Sequence, residues 1–99
     1  PLEIVELDIL KEFVEDSCLL IASGGGGIPV IKNGDGFEGV DCVVDKDHIA
    51  SLLAKSIHAS VLLLLTDIDK VKLNYGKSNE SDLDVITVKT AKKLLKEEQ

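Results

Sequence analysis

Four consecutive glycines, Gly24 to Gly27, stop the chain at a point where neither helix nor strand continues cheaply. They follow Ser23 and the unbroken apolar run Cys18-Leu-Leu-Ile-Ala22, the pattern of a strand buried on both faces. Ordering glycines costs backbone entropy and returns no side-chain packing. A strand ending in such a loop would set converging backbone N–H groups at its carboxyl end, where ligands of α/β sheets bind. The loop is therefore a candidate anion site, with a flexible turn as the plainer alternative. Two familiar phosphate loops are excluded. The dinucleotide fingerprint needs a glycine or alanine where Pro29 stands, and the P-loop needs a Gly-Lys-Ser or Gly-Lys-Thr that the chain lacks.

The rest of the chain alternates helical and extended patterns. Ile4, Val5, Ile9, Leu10, Phe13 and Val14 recur at helical spacing, so residues 2–16 read as a helix. Ile28-Pro-Val-Ile-Lys32 and Phe37-Glu-Gly-Val-Asp-Cys-Val43 flank Asn33-Gly-Asp-Gly36, a strong hairpin signal. Val44-Asp-Lys-Asp47 leads into a second helix with Asp45 as its N-cap and Ile49, Leu52, Leu53, Ser56 and Ile57 on one face. Ser60 to Leu65 reads as another buried strand, residues 71–86 as irregular, and Thr87 as the cap of a last helix through Ala91, Leu94 and Leu95. Strands alternating with helices predict an α/β domain with a mainly parallel sheet and an inserted β-hairpin. Two or three parallel strands alone would leave long bare edges, so the chain reads as part of a larger domain.

Composition narrows the partners. Eleven basic residues against 18 acidic ones make a net charge of −7, which argues against nucleic acid. Lys89, Lys92, Lys93 and Lys96, followed by Glu97 and Glu98, have the spacing of a solvated helix face. No apolar run is long enough for a membrane span. No signal peptide is visible either. Cys18 and Cys42 share no metal-ligand spacing and read as buried thiols in a reducing cytoplasm.

Two further segments could carry chemistry. In Asp45-Lys46-Asp47, a lysine at a helix N-terminus adds positive charge where anions are already favoured, and an aspartate beside it can hold it by an ion pair. Capping aspartates around an ordinary surface lysine are the alternative. In Thr66-Asp67-Ile68-Asp69, polar groups at a strand's carboxyl end suit a ribose, phosphates or hydrated magnesium, though turn-forming aspartates are as common there. His48 and His58 have no partner motif, and His58 reads as a helix-end residue.

Taken together, Ile21-Ala-Ser-Gly-Gly-Gly-Gly-Ile-Pro-Val-Ile31, Val44-Asp-Lys-Asp47, Leu65-Thr-Asp-Ile-Asp69 and Leu73-Asn-Tyr-Gly-Lys77 resemble carbamate kinases of the amino acid kinase superfamily. Ile4-Val-Glu6 and Ile86-Thr-Val88 extend the match over essentially the whole chain. The resemblance implies a three-layer αβα fold, with residues 1–99 forming the nucleotide-side part of one amino acid kinase domain. It implies the reaction ATP + carbamate ⇌ ADP + carbamoyl phosphate, with Mg²⁺ accompanying the nucleotide. A cytoplasmic homodimer that forms ATP in arginine catabolism is the family's usual setting.

By the same resemblance Lys46 contacts the transferring phosphoryl group and Asp47 organises the catalytic lysines. Gly24, Gly25, Gly26 and Gly27 belong to the substrate-side loop, and Thr66, Asp67, Asp69, Tyr75 and Lys77 to the nucleotide region. No protein-built metal site is expected. Lys72 departs from the pattern, standing where many members carry a tyrosine near the nucleotide. The family's N-terminal half and a later active-site lysine have no counterpart here, so these 99 residues alone are expected to be inactive. Another amino acid kinase, such as an acetylglutamate or uridylate kinase, remains open at this point. So does a non-catalytic nucleotide-binding or dimerisation module.

Overall fold

The computed structural model describes residues 1–97, with Glu98 and Gln99 outside the described residues. The chain divides into two compact units, Pro1–Leu64 and Leu65–Gln99.

In the first unit the helical spacing yields α1, Leu7–Glu15, shorter at its start than the pattern suggested. No side chain caps it at Glu6, and the turn before it closes only through the Leu7 amide, which donates to the Ile4 carbonyl at 3.2 Å. Two strands follow, β1 at Val30–Asn33 and β2 at Gly36–Gly39. They pair antiparallel, Val30 opposite Gly39 and Asn33 opposite Gly36. Their two-residue connection has positive φ (58°) at Gly34 and not at Asp35, which fits a type II′ turn matched to the strand twist. The hairpin stands where the sequence placed it. Helix α2, Lys46–Ser56, begins at the expected cap, Asp45. Ile49 is its buried residue, and Leu52, Leu53, Ser56 and Ile57 are half-buried on the same side.

Both helices end in Schellman motifs built without glycine. After α1, the Cys18 amide donates to the Phe13 carbonyl at 3.0 Å and Ser17 takes φ 59°. After α2, the Ala59 amide donates to the Ala54 carbonyl at 2.8 Å and His58 takes φ 54°, the helix-end position expected of it. A side chain in the left-handed region costs about 1–2 kcal/mol relative to glycine. His58→Gly should therefore raise the melting temperature of the intact protein by a few degrees. A lower one would show that the imidazole makes contacts worth more than the strain.

The second unit holds β3 at Val71–Leu73, β4 at Ser81–Leu83 and α3 at Val88–Lys96. The two strands pair antiparallel, Lys72 opposite Asp82, in a stretch read from sequence as irregular. The long connection 74–80 hid the hairpin, because it offers no two-residue turn signal. Thr87 caps α3 as expected, its hydroxyl accepting from the Thr90 amide at 3.1 Å. The basic face is solvated, with Lys93 3.7 Å from Glu97 one turn on.

The two segments expected as buried strands, Cys18–Ala22 and Ser60–Leu65, pair with nothing among the described residues, where the only ladders are the two antiparallel hairpins. A strand exists only through its neighbour, and neither segment has one here. Their side chains are correspondingly bare, Leu19 at 96%, Ile21 at 95% and Leu65 at 87% exposure. Cys18 and Cys42 are exposed too, against the expectation of buried thiols, each on a side of its stretch that no described element covers. Ile49 is the one buried hydrophobic side chain among the described residues. No helix among them is long and apolar enough to cross a membrane.

Candidate functional site

The glycine loop and the start of α2 meet through backbone. Ser23 turns with φ 69°, and the Gly26 amide donates to its carbonyl at 2.8 Å. Gly26 is buried with φ 129°, a conformation that L side chains rarely adopt. A Cβ there would stand 3.1 Å from the carbonyl carbon of Val44 and closer still to its oxygen. Only a glycine lets the loop lie on that peptide. Around Gly24, Gly25 and Gly27 the space is open, so the rest of the loop faces outward.

Val44 is followed at once by the N-cap of α2. The Asp45 carboxylate accepts from the His48 amide at 2.9 Å, and this bond chiefly holds its pKa below the ordinary aspartate value. Slight desolvation opposes the shift at this exposed carboxylate, while the Asp47 amide and the charges of Lys46 and His48 assist it. A depressed folded-state pKa means the cap's contribution is complete above the unfolded-state value, near pH 4, and is lost as pH falls through the folded value. Asp45→Asn keeps an acceptor and should remove that acid-dependent part of the stability, whereas Asp45→Ala should lower stability at neutral pH as well. Thermal melts between pH 7 and pH 3 measure both. An unchanged acid profile in Asp45→Asn would assign the dependence to another carboxylate.

Lys46 and Asp47 are the first two residues of α2, with Lys46 Nζ 4.0 Å from Asp47 Oδ1. Both side chains are exposed, at 71% and 58%. A lysine in the first turn opposes the helix macrodipole, so it does nothing for the helix itself. The Lys46 ammonium, flanked by the Asp45 and Asp47 carboxylates, the start of α2 and the open glycine loop together make a backbone-lined corner. Such a corner is suited to an oxyanion.

The remaining candidates lie in the second unit. Thr66 Oγ1 donates to the Ile68 carbonyl at 3.0 Å, ordering the segment that carries Asp67 and Asp69. Both aspartates are exposed and make no ion pair among the described residues. Tyr75 is 78% exposed and, with Lys77, sits on the 74–80 connection. There the Lys77 amide donates to the Asn74 carbonyl at 2.9 Å. Sequence reasoning singled out Lys72 only as a departure from the family pattern, and it missed Glu80 and Asp82, the carboxylates that hold it. The alternation of charge between Lys72 and Asp82 becomes informative only once the strands are known to pair.

Comparison with known proteins establishes the family. The family model "Amino acid kinase family" matches residues 1–99. Carbamate kinase 3 of Staphylococcus aureus (strain USA300) is 44% identical over 99 residues, all of this chain and 32% of that protein. The carbamate kinase of Thermoplasma acidophilum is 41% identical over the same span. Giardia carbamate kinase superposes with a TM-score of 0.88 at 39% identity, covering 98% of this chain and 34% of that structure. The chain thus spans about a third of the length of the curated relatives it matches. A full-length family match, high identity and a shared fold carry one conclusion: this chain belongs to the amino acid kinase family.

Proposed function

We propose that the intact protein is a carbamate kinase, catalysing ATP + carbamate ⇌ ADP + carbamoyl phosphate. The observation that carries the reading is the seat of Gly26 on the Val44 carbonyl, directly before the capped start of α2. It joins the glycine loop to Lys46 in one anion-binding corner. The similarity to carbamate kinases supports the choice of substrate over acetylglutamate or a uridine nucleotide.

Phosphoryl transfer asks the protein mainly for positioning and for charge on the equatorial oxygens. Lys46 supplies that charge, and Asp47 keeps its ammonium near the helix start. The exposed backbone of Gly24, Gly25 and Gly27 holds the anionic substrate without side-chain obstruction, and Gly26, its own amide given to the Ser23 carbonyl, seats the loop. Thr66, Asp67, Asp69, Tyr75 and Lys77 serve the nucleotide. The exposed carboxylates of Asp67 and Asp69 are hard oxygen donors, able to accept hydrogen bonds from the water shell of a magnesium ion. Bound Mg²⁺ would neutralise phosphate charge.

In this reading residues 1–99 are part of a single three-layer αβα domain. The bare segments Cys18–Ala22 and Ser60–Leu65 are strands of its mainly parallel sheet, completed by chain beyond these residues. The protein works in the cytoplasm as a homodimer and forms ATP in arginine catabolism. The 99 residues alone have no turnover.

The test begins with the intact mass of the purified protein, then an assay of ATP formation from carbamoyl phosphate and ADP. A mass about three times the 10.6 kDa of this chain, with ATP formed, supports the reading. Preference for acetylglutamate or a uridine nucleotide would move the protein elsewhere in the family. Turnover by the 99 residues alone would overturn the claim that they are an incomplete domain.

A further inference from the structure

The β3–β4 hairpin has little to hold it shut. Leu73, Asn74 and Leu83 are half-buried and every other residue from Val71 to Asp84 is exposed. An isolated two-stranded hairpin is marginal in water, and a connection as long as 74–80 lacks the turn geometry that would set it. Ion pairs across it compensate, Lys70 with Asp84 at its base and Lys72 with Glu80 nearer the connection. Glu80 Oε1 lies 2.7 Å from Lys72 Nζ on β3, while Glu80 Oε2 accepts from the Gly76 amide at 2.8 Å. Lys72 Nζ is also 3.5 Å from Asp82 Oδ1, on the residue directly opposite it in the ladder. Of the ion pairs among the described residues, Lys72–Glu80 is the least exposed, at 35% and 30%.

The Gly76 amide lies in the peptide that joins it to Tyr75, and the next amide, of Lys77, donates to the Asn74 carbonyl, so holding Gly76 restrains the backbone between the two side chains. We propose that Lys72 and Glu80 are positioning residues: their bond clamps Gly76 and presets Tyr75 and Lys77 for a nucleotide. The proposal rests on the nucleotide role assigned above to Tyr75 and Lys77. Exposed ion pairs usually contribute little to global stability. The clamp's effect is instead on loop freedom, because a loop ordered in advance loses less entropy when a ligand binds. Lys72 has its charge matched by two carboxylates, which removes it as a free cation for phosphates. Its pKa is raised, chiefly by the hydrogen bond to Glu80, and that of Glu80 is lowered by the same bond, as a formed pair requires.

The test uses the intact protein, with ADP and carbamoyl phosphate as substrates. Glu80→Ala and Lys72→Met should each raise KM for ADP about tenfold while kcat stays within about twofold, and Lys72→Arg should keep the wild-type value. Hydrogen exchange at the Gly76 amide should accelerate about tenfold or more in Glu80→Ala and stay unchanged in Tyr75→Ala. If Tyr75→Ala or Lys77→Ala raises KM for ADP but Glu80→Ala and Lys72→Met do not, the clamp is wrong and the nucleotide role stands. If Tyr75→Ala and Lys77→Ala both leave it unchanged, the nucleotide role fails and the clamp's function with it. Should Glu80→Ala not fold, Glu80→Gln decides by the same readouts, since it replaces one of the two oxygens that serve Lys72 and Gly76 separately with an NH2 donor.

Discussion

Lys46→Ala in the intact protein is expected to lower kcat by about a hundredfold or more, the effect of removing one charge-stabilising donor from a phosphoryl-transfer site. The lysine opens α2, exposed and 4.0 Å from Asp47. If it meets charge that develops only as the phosphoryl group moves, kcat and kcat/KM should fall together with little change in KM. Folding offers a clean control. A positive charge in the first turn opposes the helix dipole, so its removal should leave the melting temperature unchanged or slightly raised. Lost turnover in a protein that melts no lower would place Lys46 in the chemistry. Unchanged turnover would remove it from the mechanism, and the capped-surface-lysine alternative would then stand.

Gly26→Ala should be the most disruptive single methyl group in the first unit. The new Cβ would collide with the carbonyl of Val44, and alanine would be forced to φ 129°. Backbone strain of about 1–3 kcal/mol and an overpacking cost of similar size both apply, so destabilisation on the order of 3 kcal/mol is expected. The neighbouring Gly25→Ala is the matched comparison. A Cβ there meets nothing within 4 Å, and Gly25 has no positive φ, so the fold should tolerate it. Denaturation and activity of the two variants separate a structural from a binding role. Loss of both stability and turnover in Gly26→Ala, with Gly25→Ala stable, would confirm that the loop must rest on Val44. Equal stabilities would mean that the loop and α2 are not held together as described.

Local chemistry was legible along the chain. Asp45 and Thr87 announced two helix starts by residue type, and Asn33-Gly-Asp-Gly36 announced a hairpin, because caps and tight turns depend on a few adjacent residues. Lys46 and the four glycines were visible as two separate candidate anion-binding segments. That they form one corner was not, since the link is a carbonyl oxygen of Val44, and a backbone atom leaves no mark on residue identity. The β3–β4 hairpin escaped notice for a related reason. Its register shows in the sequence only after Lys72 and Asp82 are known to face each other.

Burial lay furthest from reach. The apolar runs Cys18–Ala22 and Ser60–Leu65 read as core strands from their composition alone, yet Leu19 and Leu65 stand bare and both cysteines are exposed. Apolar surface records a demand for covering, and only a neighbouring element can meet it. The sequence by itself determined the helix caps, the first hairpin, the acidic charge and the membership in the amino acid kinase family. Tertiary structure alone decided that Gly26 sits on Val44 and that Glu80 bridges Lys72 to Gly76. Both contacts join atoms that no local propensity brings together, across distances that only the folded backbone sets.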